Sequence, residues 1–288
     1  MNKKLGVIMM LLTATMWSFS GVCVKLMTWN SWAIACGRGS ICAIVLIIYL
    51  RKLPKFPRNI YHLLAMLSYV GMAMTLVAAY KLTTSANAVL LQYTAPVYSA
   101  ILAYFVLGER VQKKDIVTIA LVLAGLAIFL YDGLTAGRML GNLFGILSGV
   151  CFAGTNVFMK KCDDDVSPAA NVFWGNIIMV LISLPFMGKP DMTSLNISVV
   201  VFLGVVQLGL AYIFYSIGIR HVTALEATFI TAIEPVLNPV WVMLILKSEK
   251  PGITTVVGGV LVIGAILWRE LSDKHQKEKE CPPQAPAA

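Results

Sequence analysis

The chain has 288 residues, of which 58% are hydrophobic and only 13% are charged, and its mean hydropathy is +0.80. A soluble domain of this length needs far more polar surface, so the composition excludes the soluble classes and indicates a membrane protein. The formal net charge of +9 would suit a nucleic-acid partner. Because the basic residues gather in the links between apolar stretches, we interpret the charge as an orientation signal and expect no nucleic-acid partner.

An apolar α-helix of about 20 residues is long enough to cross a bilayer. The chain offers ten such stretches joined by short links, which predicts an all-α polytopic membrane protein with ten transmembrane helices. The predicted spans are Leu5–Met27, Trp32–Leu50, Ile60–Tyr80, Ser85–Leu107, Ile116–Tyr131, Leu140–Lys160, Ala169–Met187, Ile197–Ile219, Ala224–Leu246 and Ile253–Trp268.

Basic residues are distributed unevenly between the two sides of the predicted membrane. When the ten spans alternate, most of the 23 Lys and Arg residues fall on the side of the N-terminus. The positive-inside rule therefore predicts that both termini are cytoplasmic. Residues 271–288 are charged or rich in Pro and Ala, which predicts a disordered cytoplasmic tail.

The two halves of the chain share one order of residues. Leu5-Gly6 and Lys25 in the first half match Leu140-Gly141 and Lys160 in the second. Further matches follow in the same order: Thr84/Thr223, Ala88/Ala227, Pro96/Pro235, Val97/Val236 and Leu107/Leu246. Residues 1–135 and 136–270 are therefore predicted to be two five-helix repeats. Because five is an odd number, the second repeat enters the membrane from the opposite side, which predicts an inverted repeat.

Each half also carries a proline within its fourth apolar stretch. The segments are Tyr93-Thr94-Ala95-Pro96-Val97 and Ala232-Ile233-Glu234-Pro235-Val236, and Pro239 follows the second. Proline has no N–H and frees a helical carbonyl, so we predict helix breaks at Pro96, Pro235 and Pro239. Matching breaks in two halves are the best sequence indication of a transporter's substrate site.

Two charged residues lie deep within predicted spans, where charges are rare and functional by default. Counting from the span ends places Arg38 roughly 12 Å and Glu234 roughly 14 Å below the same membrane face. In one interpretation, Arg38 binds a substrate carboxylate and Glu234 binds an amine or a coupling proton. In a second, the two residues form a salt bridge that opens and closes during transport. In a third, they are a fixed structural pair.

Glu226 lies near the cytoplasmic end of the ninth predicted span. The segment Thr223-Ala224-Leu225-Glu226 has the spacing of a capping box, which satisfies free amides at the start of a helix. The same position suits a cytoplasmic gate or a proton site. A capping role and a coupling or gating role for Glu226 are both open from the sequence.

Neutral polar and aromatic residues close to the breaks complete the predicted substrate site. Gln92 and Asn238 flank the prolines, and Tyr93 lies within the first break. We predict that these three residues line the site together with Trp17 and Trp174. A larger set of aromatic residues at comparable depths is compatible with an apolar or cation-binding pocket: Trp17, Tyr69, Tyr93, Tyr98, Trp174, Tyr212 and Trp241.

The sequence carries no pattern typical of a metal centre or of an enzyme. Its six cysteines form no Cys-x-x-Cys pair, and no nucleophile–base spacing or Gly-rich nucleotide motif is present. We therefore expect no metal, no cofactor and no enzymatic activity.

These motifs resemble those of the drug/metabolite transporter (DMT) superfamily, specifically its EamA-type ten-helix transporters. The resemblance rests on Arg38, on the first proline segment with Leu107-Gly108-Glu109 after it, and on Glu234-Pro235-Val236. In the second half, Lys247-Ser248-Glu249 departs from the Leu-Gly-Glu pattern. The resemblance implies a carrier in a bacterial plasma (inner) membrane, with a central cavity between its two halves.

The predicted function is secondary active or facilitative transport, with export of amino acids or related small metabolites by alternating access. An uptake carrier for an organic cation or nutrient is the alternative, and a membrane receptor that does not transport is a third candidate. The expected partners are a small-molecule substrate, protons and the lipid bilayer. A monomer and a homodimer are both compatible with the sequence.

Overall fold

The computed structural model describes residues 3–130, 139–162 and 166–246, and within 253–268 only positions 253, 254, 257, 258, 260, 261, 264, 265 and 268. In these residues every regular element is helical. The α-helices are α1 Lys3–Trp17, α2 Ser20–Leu26, α3 Ser31–Leu50, α4 Ile60–Leu82, α5 Ser85–Gln92, α6 Ala95–Leu107, α7 Lys113–Leu130, α8 Met139–Lys161, α9 Pro168–Ser183, α10 Ser194–Phe202, α11 Ala211–Gly218, α12 Ala224–Thr231 and α13 Glu234–Leu246. A 3-10 turn at Leu184–Phe186 follows α9, and a π-helical segment at Leu203–Leu210 joins α10 to α11.

Eight helical stretches of the described residues are long and apolar enough to cross a membrane, as expected of a multi-pass membrane protein. They are Lys3–Leu26, Ser31–Leu50, Ile60–Leu82, Ser85–Leu107, Met139–Lys161, Pro168–Phe186, Ser194–Gly218 and Ala224–Leu246. Helix α7 covers the fifth predicted span as far as Leu130, but its first turn carries Lys113, Lys114 and Asp115. The tenth predicted span, Ile253–Trp268, is described only in part, and the predicted tail lies outside the described residues.

The helices run between two ends of the bundle. Helix α1 begins at the end called the basic end here, where Lys3 Nζ lies 2.7 Å from Glu226 Oε1. Helix α8, the match of α1 in the second half, begins at the other end, called the far end. There the hydroxyl of Thr83 donates to Asn142 Oδ1 at 3.0 Å.

Two spans are interrupted at corresponding positions. Tyr93-Thr94 separates α5 from α6, and Ala232-Ile233 separates α12 from α13. The interruptions precede the prolines: Pro96 and Pro235 are each the second residue of the following helix, because the first helical turn needs no N–H and accepts proline. Pro239 interrupts no helix, contrary to our prediction. Helix α13 continues through it, since neighbouring helices and local adjustments can satisfy backbone groups that proline frees within a span.

The first span is also interrupted, although it contains no proline. Helix α1 ends at Trp17 and α2 begins at Ser20. Between them, Ser18 Oγ donates to Thr15 O at 2.6 Å and accepts from Trp241 Nε1 at 2.8 Å. A serine hydroxyl that bonds a nearby carbonyl competes with the helical hydrogen bonds, which accounts for an interruption here.

Glycines allow close contact between helices of the two halves. A Cβ added at Gly141 of α8 would lie 2.8 Å from Thr83 N, directly after α4. A Cβ added at Gly204 of the π-helical segment would lie 3.1 Å from Arg38 O on α3. Such close backbone approach is typical of glycine at helix contacts in membranes. The π-helical segment therefore packs directly against the helix that carries Arg38.

Candidate functional site

A group of aromatic side chains fills the interior of the bundle. The aromatic cluster consists of Trp17, Tyr69, Tyr93, Phe152, Tyr212 and Tyr215, all of them buried. Neighbouring ring centroids lie 5.0 to 5.8 Å apart in tilted or edge-on arrangements. Three members belong to the first half of the chain and three to the second, so the cluster lies where the two halves meet.

Arg38 on α3 lies beside the aromatic cluster and is only 2% exposed. Its Nη2 donates to Ala73 O at 2.8 Å, and its buried Nε has no hydrogen-bond partner. Its charge interacts with the hydroxyls of Tyr69, Tyr212 and Tyr80. Arg38 pairs with no carboxylate among the residues that the structure describes. A buried guanidinium without a counter-ion is an anion-binding group.

Glu234 is the first residue of α13 and is buried. Its Oε2 lies 2.8 Å from Tyr93 Oη, which in turn lies 2.6 Å from Thr231 O. In an uninterrupted helix the Thr231 carbonyl would accept from the N–H of residue 235, but residue 235 is proline. The hydroxyl of Tyr93, from the break in the first half, therefore satisfies the carbonyl that Pro235 frees in the second half.

A second polar contact crosses between the halves at Tyr80. The Tyr80 hydroxyl lies 2.7 Å from Ser20 Oγ and accepts from Asn238 Nδ2 at 3.3 Å. The Asn238 side chain packs on Gly21, where any Cβ would collide with it. Asn238 Oδ1 is buried without a hydrogen-bond partner. Asn238 therefore contacts the site and keeps one acceptor unused.

Arg38 and Glu234 do not form a salt bridge with each other in the part of the chain that the structure describes. Tyr80 interacts electrostatically with both of them, so its hydroxyl lies within the range of the two charges. The predicted ion pair is absent from this arrangement. The role of the two residues in substrate binding stays a prediction.

The other predicted site residues separate into two places. Trp17 belongs to the aromatic cluster, and Gln92 is buried at the end of α5; Trp17 Nε1 and Gln92 Oε1 both lack a hydrogen-bond partner. Trp174 instead donates from Nε1 to Pro54 O at 3.2 Å and contacts the ring of Phe56. It lies on the face of α9 that packs against the link between α3 and α4, and it joins no contact of the aromatic cluster. The role of Trp174 in substrate binding stays a prediction.

Glu226 forms both bonds of the capping box at the start of α12. Its N–H donates to Thr223 Oγ1 at 3.1 Å, and its Oε2 accepts from Thr223 N at 2.9 Å. Its Oε1 accepts from Lys3 Nζ at 2.7 Å. The capping role is thus observed, and the contact with Lys3 closes the bundle here. A coupling or gating role for Glu226 stays a prediction.

Glu109 adds a further contact at the start of α12. Gly108 ends α6 with a φ of 68°, a left-handed conformation that favours glycine. The Glu109 carboxyl that follows accepts from the N–H of Ala224, the first residue of α12. Burial raises the pKa of Glu109 above the ordinary value of a glutamate, and the bond from Ala224 and the charge of Lys160 oppose this shift.

Contacts between described residues join helices at both ends of the bundle. At the basic end Lys3 pairs with Glu226. At the far end Trp29 Nε1 donates to Asp191 O at 2.6 Å. Three cavities of the structure lie at the basic end, and one of them has a volume of about 280 Å³. None of these three is lined by a predicted substrate-binding residue.

Several buried residues of the helices around this site were not among the site residues predicted from the sequence. Tyr80 is the last residue of its predicted span, whereas α4 continues to Leu82 and Tyr80 is fully buried. Tyr215 follows Tyr212 by three residues, and this spacing on one helix face was an available signal. Gln207 lies in the π-helical segment with its buried Oε1 unpartnered. Nothing in its sequence neighbourhood predicts π-helical geometry.

Comparison with known proteins identifies several relatives of this chain. The EamA-like transporter family matches residues 4–131 and again residues 139–268. An uncharacterized transporter of Archaeoglobus fulgidus is 30% identical over 214 residues, which cover 72% of this chain and 75% of the relative. The biotin transporter of Escherichia coli K12 is 26% identical over 241 residues, or 80% of each chain. The pseudopaline exporter of Pseudomonas aeruginosa is 24% identical over 185 residues, or 63% of this chain and 64% of the exporter.

A solved crystal structure has the same fold as this chain. The two superpose with a TM-score of 0.76 over 94% of this chain and 98% of the solved one, at 17% sequence identity. This identity supports a common fold and no more. The two family matches together span nearly all of the sequence. The chain therefore belongs to the EamA-like transporter family.

Proposed function

We propose that this protein is a secondary active or facilitative transporter that exports amino acids or related small metabolites by alternating access. Its ten transmembrane helices form two inverted five-helix repeats, in a bacterial inner membrane with both termini in the cytoplasm. Membership of the EamA-like family supports the transporter function. The substrate binds between the two repeats, at Arg38 and the aromatic cluster.

Equivalent contacts in the two halves support the inverted repeat. A Cβ at Gly6 would lie 2.9 Å from Val222 Cγ1, and one at the matching Gly141 would lie 2.8 Å from Thr83 N. Val222 and Thr83 each directly precede a matched threonine. Because α1 begins at the basic end and α8 at the far end, these equivalent contacts lie at opposite ends of the bundle. Two separate family matches, residues 4–131 and 139–268, also support the division into repeats.

The observation that carries the proposal is the unpaired guanidinium of Arg38. Burying a charge without a partner costs several kcal/mol, so protein interiors rarely keep one. The bond to Ala73 O uses one donor, and Nε remains free beside the buried aromatic rings. A carboxylate on the substrate would supply the missing counter-charge, while the rings would pack against the apolar part of the substrate.

The proposal is tested by flux measurements in proteoliposomes with an amino acid and with its carboxamide. Arg38→Met should reduce binding and flux of the carboxylate form by roughly tenfold or more, because a charge-assisted hydrogen bond contributes about 1.5–3 kcal/mol. Flux of the neutral carboxamide should change much less. The matched control is Arg220→Met, which removes an exposed arginine at the basic end and should leave both fluxes unchanged.

The same experiment separates the alternatives. If Arg38→Met lowered the flux of all substrates equally, a structural role for Arg38 would replace the binding role. Uptake of an organic cation that is insensitive to Arg38→Met would favour the cation carrier, and ligand binding without any flux would favour a receptor. A relative named as an exporter supports the outward direction, which vesicles of known orientation would test.

A further inference from the structure

Three oxygen atoms meet where Tyr93 contacts Thr231 and Glu234, and the number of protons there decides which contacts are hydrogen bonds. Tyr93 Oη lies 2.6 Å from Thr231 O and 2.8 Å from Glu234 Oε2. A phenol carries a single proton, which it donates to one acceptor in a well-formed hydrogen bond. The Thr231 carbonyl and an ionised Glu234 would both be acceptors only. One of the two short contacts would then lack a proton.

Tyr93 donates its hydroxyl proton in the hydrogen bond to the Thr231 carbonyl. Pro235 removed the helical donor of this carbonyl, and an unsatisfied carbonyl costs several kcal/mol within a membrane. The contact with Thr231 O is also the shorter of the two. The contact between Tyr93 Oη and Glu234 Oε2 is then a hydrogen bond only if the carboxyl group donates. Glu234 must therefore carry a proton in this arrangement.

In the part of the chain that the structure describes, no cation bonds Glu234 and would hold it ionised. Tyr80 and Tyr93 are the titratable groups that face it. Arg38 interacts with Tyr80 but forms no bond to Glu234. The lysines on the helices packed against α13 point elsewhere: Lys3 of α1 bonds Glu226, and Lys25 of α2 bonds Thr83 O at 2.9 Å. An unpaired buried carboxylate is costly, so the neutral acid is the form that fits this site.

We infer that Glu234 is the coupling-proton site of this transporter, and that Tyr93 controls it from the opposite half. While the two breaks are in contact, Tyr93 bonds Thr231 O and Glu234 holds its proton as the donor to Tyr93 Oη. When the halves move apart and water enters, the carboxyl O–H bond breaks, the proton passes to water and the carboxylate remains. Glu234 binds the proton, and Tyr93 is a positioning residue. The inference rests on the proposed transport function.

Infrared spectroscopy of the purified full chain detects this proton without any transport measurement. A protonated carboxylic acid has its own C=O stretching band, which an ionised carboxylate lacks. We expect such a band in the unmodified protein at neutral pH, its loss in Glu234→Gln and a shift of its frequency in Tyr93→Phe. Tyr98→Phe changes a half-buried tyrosine outside the contact and should leave the band unchanged. Glu109→Gln should leave the band unchanged as well, which would exclude the half-buried Glu109 as its source.

Flux measurements complete the test. In proteoliposomes, a pH gradient should accelerate transport by the unmodified protein, and Glu234→Gln should lose this acceleration. Absence of a band that depends on Glu234 would overturn the inference, as would a band that survives in Glu234→Gln. If Tyr93→Phe does not fold, the comparison with Glu234→Gln alone still decides the protonation. A carboxylate flux that depends on Arg38 but not on Glu234 would leave the proposed function intact while removing the proton site.

Discussion

At one pair of matched positions, the smaller and the larger side chain change places between the two halves of the chain. Gly21 in α2 faces Asn238 in α13. The corresponding positions in the repeat are Asn156 and Ser99, and there the larger side chain lies on the other partner. Asn156 Nδ2 donates to Thr228 Oγ1 at 2.9 Å, and Ser99 Oγ lies 3.0 Å from the same atom. Asn156 and Ser99 therefore share Thr228 as a partner, whereas Gly21 and Asn238 contact each other directly.

This packing predicts the effect of Gly21→Ala. The added methyl group would collide with the Asn238 side chain, and overpacking of a close contact costs about 1–3 kcal/mol. We expect this loss in the free energy of unfolding in detergent. Combining Gly21→Ala with Asn238→Ser, the residue type at position 99, should restore most of it. A double variant as unstable as Gly21→Ala alone would contradict the packing argument.

Gly108→Ala tests backbone strain, whereas Gly21→Ala tests side-chain packing. Among the described residues no atom lies within 4 Å of a Cβ at Gly108, so we expect the φ of 68° to be the obstacle to a substitution. The left-handed conformation costs a residue with a side chain about 1–2 kcal/mol. Gly108→Asn should cost less than Gly108→Ala in the same unfolding measurement, because asparagine tolerates this conformation better. Equal losses would point to a cause other than backbone strain.

At the scale of elements, the two interrupted spans are built alike. Thr84 accepts from Asn87 N at the start of α5, as Thr223 accepts from Glu226 N at the start of α12. Among the described residues, Glu109 of the first half adds a further carboxyl group at the second of these starts. An acceptor at a helix N-terminus satisfies a free N–H and complements the helix dipole. This contact explains physically why a Gly-Glu pair follows α6.

The half-buried Glu109 predicts how stability responds to pH. Its raised pKa means that the folded protein binds the proton more strongly than the unfolded chain does. Its contribution to stability is therefore complete below the ordinary glutamate pKa of about 4.3 and is lost as the pH rises through the raised folded value. In Glu109→Gln the dependence of the unfolding midpoint on pH should be flatter between acid and neutral pH. Asp191→Asn, at an exposed position, should leave the dependence unchanged.

Interruptions of helices were predictable only in part. Both proline segments were located from the sequence, because proline has a fixed effect on backbone hydrogen bonding. The gap between α1 and α2 contains Ser18, whose hydroxyl donates to the nearby Thr15 O and also accepts from Trp241 Nε1, a residue far away in the chain. The continuous helix through Pro239 depends in the same way on neighbours that satisfy its backbone. Local sequence does not contain these contacts.

For the whole molecule, contacts close both ends of the bundle around the aromatic cluster. Lys3 and Glu226 pair at the basic end, and Trp29 donates to Asp191 O at the far end. The Lys3 side chain is 26% exposed and that of Glu226 is 9% exposed, so water screens the pair only in part. We take about 1 kcal/mol, the upper end of the range for exposed pairs, as its contribution. We expect this pair to hold the basic end closed, as a contact that a modest change in free energy would open.

Labelling of Cys42 tests this view of the basic end. Cys42 is fully buried, and its thiol interacts with the charge of Arg38. In a protein that retains Cys42 as its single cysteine, Lys3→Gln should speed reaction with a water-soluble maleimide by up to about fivefold, the effect of roughly 1 kcal/mol. Lys52→Gln, at an exposed position, should leave the rate unchanged. A Lys3→Gln rate equal to that of the control would show that this pair does not hold the end closed.

The sequence by itself determined the membrane class, the matched halves, the two proline segments and the presence of Arg38 and Glu234 in apolar spans. These follow from composition and spacing, which depend only on the hydrophobic thickness of a bilayer and on the geometry of a helix. Tertiary structure decided that Tyr93 bonds the carbonyl freed by Pro235, that Trp174 lies away from the aromatic cluster, and that Arg38 and Glu234 do not pair. Such contacts join residues far apart in the chain, and their distances depend on how the helices pack and rotate against one another.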